Sequence, residues 1–257
     1  MLRLVPFDDP YCQGLIFEVT DINALAKAIA IILVQEYEIA RRLVIGDSFS
    51  VDVIKFENDD IEDIIQRRLH PADIYHRDGF LFQLMMWLAA HLDLQNGDLV
   101  SLPHSQASAK GQDSIIVHRS TSAVAALTIC EDKATENPRK TIREDVWPEI
   151  ADYEKGGRWD ELRSTIIATL GIGGIPMAEA VKLIRNISWA GKRRYRVRVT
   201  VNPNNQTSVL FKGFDEIVSG AKEIRRGETV PLPAMRDWMT MLAEKVESEL
   251  RSFASGA

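Results

Sequence analysis

Two apolar segments flank one short polar break near the middle of the chain: DSIIVH (Asp113 to His118) and AVAALTIC (Ala123 to Cys130), separated by Arg119-Ser120-Thr121-Ser122. Each is short and rich in β-branched or small apolar residues, so each is expected to be a strand, with a hairpin turn between them. The second segment runs directly into Glu131-Asp132-Lys133. Period two along a strand places Glu131 and Lys133 on one face and Cys130 and Asp132 on the other. The midpoint between Asp113 and Glu131 is residue 122, inside the polar break. A hairpin turning there sets the two carboxylates almost opposite each other, with Cβ atoms ~4.5 to 5.5 Å apart.

Carboxylates so placed repel, and a hairpin selected only for stability would avoid the pairing. A divalent cation between them removes the repulsion. Mg²⁺, with Mn²⁺ as a substitute, takes oxygen ligands at ~2.0 to 2.1 Å and keeps water and substrate phosphate in its remaining positions. Asp113 and Glu131 are the candidate ligands, with the backbone carbonyl of Asp132 as a further one. Lys133 beside such a metal can orient or deprotonate an attacking water and offset charge on a phosphate, which is the chemistry of phosphodiester hydrolysis. The plainer alternative is that Asp113 merely opens a strand after Gly111-Gln112 and that Glu131 and Lys133 form a surface pair.

The rest of the chain reads as α/β. Its 257 residues suffice for one large domain or two small ones, and 46 % apolar with 26 % charged residues excludes disorder and low complexity. The longest apolar run, Ala28 to Val34, is far short of the ~20 residues that span a bilayer. Cys12 and Cys130 are too isolated for a disulfide framework or a metal spacing, so a cytoplasmic location is expected. The sequence predicts an N-terminal α/β extension over 1–74: strands at LRLVPF and GLIFEVT, a helix from Asp21 to about Val44, a strand at Phe49 to Phe56 and a helix at Asp59 to Leu69. A core over 75–216 follows, with a buried helix at Gly79 to Leu92, strands at Asp98 to Pro103, Asp113 to His118 and Ala123 to Cys130, and a helix opened by Asn137-Pro138. Two more helices precede an alternating strand, RRYRVRVTV (Arg193 to Val201), and a turn leads into TSVLFKGF. Residues 217–257 are expected to be a C-terminal helical segment, with Arg225 and Arg226 in a loop.

Buried helix, strand, Asp-led strand, strand ending Glu-x-Lys and then a basic helix is an order that resembles the PD-(D/E)XK nuclease superfamily, over roughly Gly79 to Tyr153. The matching motifs are GQDSIIV and LTICEDK; the residue before Asp113 is Gln112 where the signature has proline. The resemblance implies a restriction-endonuclease-like core, a central mixed sheet flanked by helices. It makes Asp113 and Glu131 metal ligands and Lys133 the catalytic lysine, and Gln83 matches the polar residue that many members carry on the first helix. Size and motif placement further resemble the nuclease subunit of the Hachiman antiphage system (the DUF1837 family), which implies DNA as substrate and a helicase or other ATPase as partner.

Thirty-one basic against 37 acidic residues give a net charge of −6, which disfavours a protein that coats nucleic acid. Contact with DNA is therefore expected in clusters: Arg139, Lys140 and Arg143 on the helix after the motif, and Arg194, Arg196 and Arg198 along one face of the alternating strand. None of the five histidines has metal-ligand spacing, although His104 and His118 approach the site if the strands pair as supposed. Trp147, Trp159 and Trp189 are candidates for buried packing or for stacking on bases. A second reading is a catalytically inactive nuclease-like fold that serves as a protein-interaction module, supported by the acidic balance and an amphipathic C-terminal helix. A small-molecule hydrolase would need a nucleophile and base that the sequence does not display.

Overall fold

The computed structural model describes residues 1–46, 56–103, 112–120, 123–185, 191–203 and 209–254. The expected strand over 49–55, His104 and Trp189 lie outside them. Strands β1 (Leu2–Asp8), β2 (Gln13–Val19), β3 (Leu99–Val100), β4 (Ser114–Arg119), β5 (Val124–Lys133), β6 (Arg193–Val201) and β7 (Arg225–Pro231) form one mixed sheet in the order β1-β2-β7-β6-β5-β4-β3. The four adjacent strands β2, β7, β6 and β5 run parallel, and antiparallel strands complete the sheet on both sides.

Helices cover both faces. On one lie α1 (Ile22–Leu33), α2 (Tyr37–Val44), α3 (Asn58–Arg68) and α4 (Ile74–His91). The other carries α5 (Pro138–Thr141), a π-turn over Ile142–Val146, α6 (Trp147–Glu154), α7 (Trp159–Ile172), α8 (Met177–Arg185) and α9 (Phe214–Ile217). The terminal α10 (Met235–Ser252) returns to pack against α1, α3 and α4. Helix α4 is apolar almost all round because it is enclosed by α1, α2, α10 and the sheet; Phe80, Leu84, Met85 and Leu88 are all buried. Asp21 caps α1 as the sequence suggests, accepting from the N–H groups of Asn23 (2.9 Å) and Ala24 (3.0 Å).

Several expectations are corrected. The helix from Asp21 does not run unbroken to Val44. Gln35 adopts φ 66°, and the N–H of Glu36 turns back to the Ile31 carbonyl at 3.0 Å, ending α1 and starting α2. The strand expected over Asp98 to Pro103 shrinks to Leu99–Val100. Strand β6 has no hairpin partner after Val201, since its neighbours β5 and β7 are both parallel to it. Arg225 and Arg226 are not in a loop: they open β7, an inner strand that falls within the stretch expected to be helical over 217–257. RRGETVP hides its strand character behind a glycine and charged residues. Gly227 is required there because a Cβ would lie 2.6 Å from both Cys12 Sγ and the Phe211 ring.

Charge pairs hold the face under α4. Arg198 is fully buried, and its guanidinium donates to both carboxylate oxygens of Asp132 at 2.5 and 2.9 Å, to the Met86 carbonyl at 2.8 Å and to Ser114 Oγ at 3.0 Å. Removing one partner of such a pair leaves an uncompensated buried charge. Urea denaturation should find Arg198→Met destabilised by ~3 to 5 kcal/mol, and Asp132→Leu/Arg198→Met should recover most of that loss. A single-variant loss under about 1 kcal/mol would show that the pair does not hold the core together.

Candidate active site

Pairs from Ser114↔Cys130 to His118↔Ala126 keep the register set by a turn centred on residue 122. The ladder shifts by one residue only between His118 and Arg119, next to the turn. One step beyond the ladder, the N–H of Asp113 donates to the Cys130 carbonyl at 3.2 Å, so Asp113 lies alongside Glu131. Alternation along β5 then sends Glu131 and Lys133 to the face covered by α6 and α7. It sends Thr128, Cys130 and Asp132 to the face covered by α4.

Lys133 Nζ lies 3.2 Å from Glu131 Oε2 and 4.0 Å from Asp113 Oδ2. The Asp132 N–H donates to Asp113 Oδ2 at 2.6 Å, and Gln83 Nε2, reaching from α4, donates to Asp113 Oδ1. The structure thus brings together Asp113, Glu131, Lys133 and Gln83, four side chains from α4, β4 and β5. The expectation for Asp132 narrows to its backbone, because its carboxylate is committed to Arg198 on the opposite face.

A fifth member is absent from the sequence reading. Glu149 Oε2 lies 3.6 Å from Lys133 Nζ, projecting from the third residue after the π-turn. In that turn the Trp147 N–H bonds to the Ile142 carbonyl, five residues back. Such a turn inserts one residue into the helix and rotates everything after it by about 100°. Pro148 marks the irregularity in the sequence, but the face that Glu149 occupies depends on the π-turn itself.

Three carboxylates therefore surround one ammonium. Glu131 is only 1 % exposed; its Oε1, like Glu149 Oε2, is buried and has no hydrogen-bond donor among the described residues. Burial, reinforced by the Asp113 and Glu149 carboxylates, raises the Glu131 pKa well above 4.5 despite the opposing charge of Lys133. Burial works against the charge of Lys133 too, but Glu131, Asp113 and Glu149 together outweigh it and hold the ammonium protonated well above its usual range. The lysine is thus a fixed cation and, without metal, a poor base.

The donor set fits a hard divalent cation. Asp113 and Glu131 offer carboxylate oxygens side by side, and Glu131 Oε1 has no hydrogen-bond donor among the described residues. Among the described residues no three His, Cys, Asp or Glu side chains form a ready-made cage. Two carboxylates with open positions for water and substrate oxygen match the Mg²⁺ pattern.

The basic residues divide differently from expectation. Lys140 and Arg143 are exposed beside Glu144, on the helix leading toward Glu149. Arg139 is spent on structure, donating to the carbonyls of Leu210 (3.0 Å) and Lys212 (2.9 Å). Arg196 and Arg198 are corrected outright: both are buried and ion-paired, so neither can lie along a phosphate backbone. In the parallel register their neighbours on β5 are Cys130 and Asp132, while Glu131 and Lys133 sit beside Val197 and Val199. Arg194 shares their face and so also turns away from Lys133. Alternation suggested one solvated face, but an inner strand between two helical layers has none. His118 likewise does not approach the site; it bonds Asp98 and Thr128 on the face away from Glu131. Trp147 packs against Phe214 at a ring separation of 4.8 Å. Comparison of the chain with known protein families and with characterised proteins gives no match.

The raised Glu131 pKa has a definite sign. The folded chain holds a proton that the unfolded chain, with its carboxyl near 4.5, releases, so this group lowers stability as pH rises above that value. In chelator, Glu131→Gln should therefore melt higher than the parent at about pH 8, and the two should converge near about pH 4. A variant that melts lower at every pH would make Glu131 a structural ion-pair partner.

Proposed function

We propose that the chain is a divalent-cation-dependent deoxyribonuclease with a restriction-endonuclease-like core, the effector of a bacterial antiviral system that works with a helicase. One observation carries the reading: among the described residues Glu131 Oε1 is a buried carboxylate oxygen without a donor, placed beside Asp113 in a site where three carboxylates gather around the Lys133 ammonium. A core selected only for stability would replace Glu131 with an apolar residue. The order α4, β3, β4, β5 and α5–α6 supports the same reading, since it is the order that the resemblance implies.

Asp113 and Glu131 would hold the cation, which supplies Lewis-acid polarisation of the phosphate and a bound water of lowered pKa. Gln83 and the Asp132 N–H fix the Asp113 carboxylate from two sides, so its orientation does not depend on substrate. Lys133, held protonated, sits where it can orient the attacking water and balance charge gathering on the phosphate oxygens. Glu149 anchors the lysine from the helix side. Lys140 and Arg143, exposed on the same helical run, are the residues left to meet a phosphate backbone, and so few contacts on a chain of net −6 suit delivery of DNA by a partner.

The test incubates the purified chain, alone and with the product of the adjacent gene, on plasmid and linear DNA with Mg²⁺ or Mn²⁺. Cleavage is expected, and Lys133→Ala should reduce it by about 100-fold or more. Undiminished cleavage by that variant would move the active site elsewhere. Silence in every combination would leave the protein-interaction module as the better reading.

A further inference from the structure

On the face of the sheet opposite Glu131, a cavity of about 200 Å³ opens between β4, β5, β6, β7 and the turn that follows α4. Its lining includes Gln13, Asp93, His118, Arg194, Arg196 and Arg226. Thr128 marks its position on β5, four residues before Asp132, or about 13 Å along the strand. It is thus separate from the carboxylate site in both face and position.

Its charges are arranged in an unusual way. Arg196 and Arg226 are register partners on adjacent parallel strands, a like-charge pairing that costs stability unless anions lie against it. One anion comes from inside: Glu228 is fully buried, and its Oε1 lies 2.6 Å from the Nε of both arginines. The other comes from outside. Asp93, in the turn after α4 and 32 % exposed, places Oδ2 at 3.2 Å from Arg196 Nη2 and against Arg226 Nη1. Arg194, two residues before Arg196 on the same face, is exposed and makes no ion pair among the described residues.

The other lining groups do not fill the positive end. His118 meets Asp98 Oδ2 and Thr128 Oγ1, each at 2.8 Å, so Asp98 is committed; burial, with the Arg194 and Arg196 charges, holds the imidazole pKa below its usual value against the pull of Asp98. Glu223 stands on the exposed rim. Three guanidinium groups thus share two carboxylates, and the outer carboxylate belongs to a partly exposed turn residue. With Asp93 withdrawn, two positive charges face the cavity unmatched.

We propose that this cavity binds a small phosphate monoester, with the Asp93 carboxylate occupying the position that the phosphate takes. A phosphomonoester carries about −1.5 to −2 charges at neutral pH and three acceptor oxygens, which matches the fork geometry of Arg194, Arg196 and Arg226 better than a carboxylate does. The cavity is larger than the ~150 Å³ that encloses a benzene ring, which leaves room for a sugar beside the phosphate. Thr128 and Gln13 are placed to meet its hydroxyls. The cavity opens away from Lys133, which favours a free small molecule over the duplex held at the carboxylate site. The proposal is independent of the nuclease reading.

Calorimetric titration of the full chain with a nucleoside monophosphate, in chelator so that the carboxylate site takes no part, tests it. The monophosphate should bind, inorganic phosphate should bind more weakly, and the unphosphorylated nucleoside should not bind. Arg194→Gln, at an exposed position with no ion pair to lose among the described residues, should weaken binding about tenfold or more. Asp93→Asn should tighten it, because the competing carboxylate is gone; a purely structural ion pair predicts no gain. The proposal is overturned if neither the parent nor Asp93→Asn prefers the monophosphate to the nucleoside, or if Arg194→Gln binds as the parent does. Binding of a 5′-phosphorylated duplex but not of the monophosphate would also overturn it, assigning the cavity to DNA.

Discussion

The buried contact between Arg198 and Asp132 joins every element that supplies a residue to the carboxylate site except the helix bearing Glu149. The guanidinium belongs to β6, the carboxylate to β5, the Ser114 hydroxyl to β4 and the Met86 carbonyl to α4. Met86 lies one helical turn beyond Gln83, and Ser114 follows Asp113 directly. Each site residue is therefore within three positions of an atom bonded to one planar group. A fork with five fixed donors sets angles as well as distances, which a lysine at the same place could not do. Desolvating both charges is expensive, and an apolar pair of similar volume could be as stable. The return is geometric: the backbone of β5 at Asp132 is fixed, and with it the N–H that holds Asp113 Oδ2.

How much of this was legible follows from the range of the interactions involved. The hairpin register came from local pattern, because one polar break separated two apolar runs and a one-residue slip would have exchanged the faces of every side chain. Asp113, Glu131 and Lys133 were readable for that reason, and Gln83 only through the resemblance, which implies a polar residue on the first helix facing the site. Glu149 was hidden by the π-turn, whose effect on the phase of the helix has no simple sequence signature. The arginines of β6 were misread by a different route. Alternation of arginine and valine gives the same pattern for an edge strand with one wet face as for an inner strand whose charges are paired across the sheet. Only the partners distinguish the two, and they lie far away in sequence: Asp132 on β5, Glu228 on β7 and Asp93 after α4. Strand β7 was missed because its own charges are half of that network.

The same network changes the meaning of the net charge. The −6 of the chain is a surface quantity only if buried charges cancel. Arg196 and Arg198 are consumed inside by Glu228 and Asp132, and Arg139 and Arg225 are consumed by backbone carbonyls. Among the described residues, however, the buried bases Arg77, Arg196, Arg198 and Arg225 are outnumbered by the buried acids Asp9, Asp78, Asp113, Glu131, Asp132 and Glu228, so the surface is less acidic than the composition implies but still carries a negative excess. A polyanionic substrate would have to be brought to Lys133 against that field, by a partner or by the cation that the carboxylates can hold.

Strand β5 divides two kinds of polar chemistry by the simplest device a strand has. Glu131 and Lys133 face one helical layer with excess negative charge, while Thr128 and Asp132 face the other, where arginines predominate. The two sides are insulated by the sheet, and what connects them is the backbone of β5 itself. The Asp132 side chain binds the arginine face, and its N–H binds Asp113 at the carboxylate site. Glu228 continues the line, being bonded to Arg196 and Arg226 at the cavity. Any shift of the arginines that displaced Asp132 would be felt by Asp113 through one peptide unit. Between the two networks the link is one of register rather than of a bond: Glu228 on β7 lies beside Arg198 on β6, so an occupant of the rear cavity would bear on the carboxylates through the adjacent charges of those two strands.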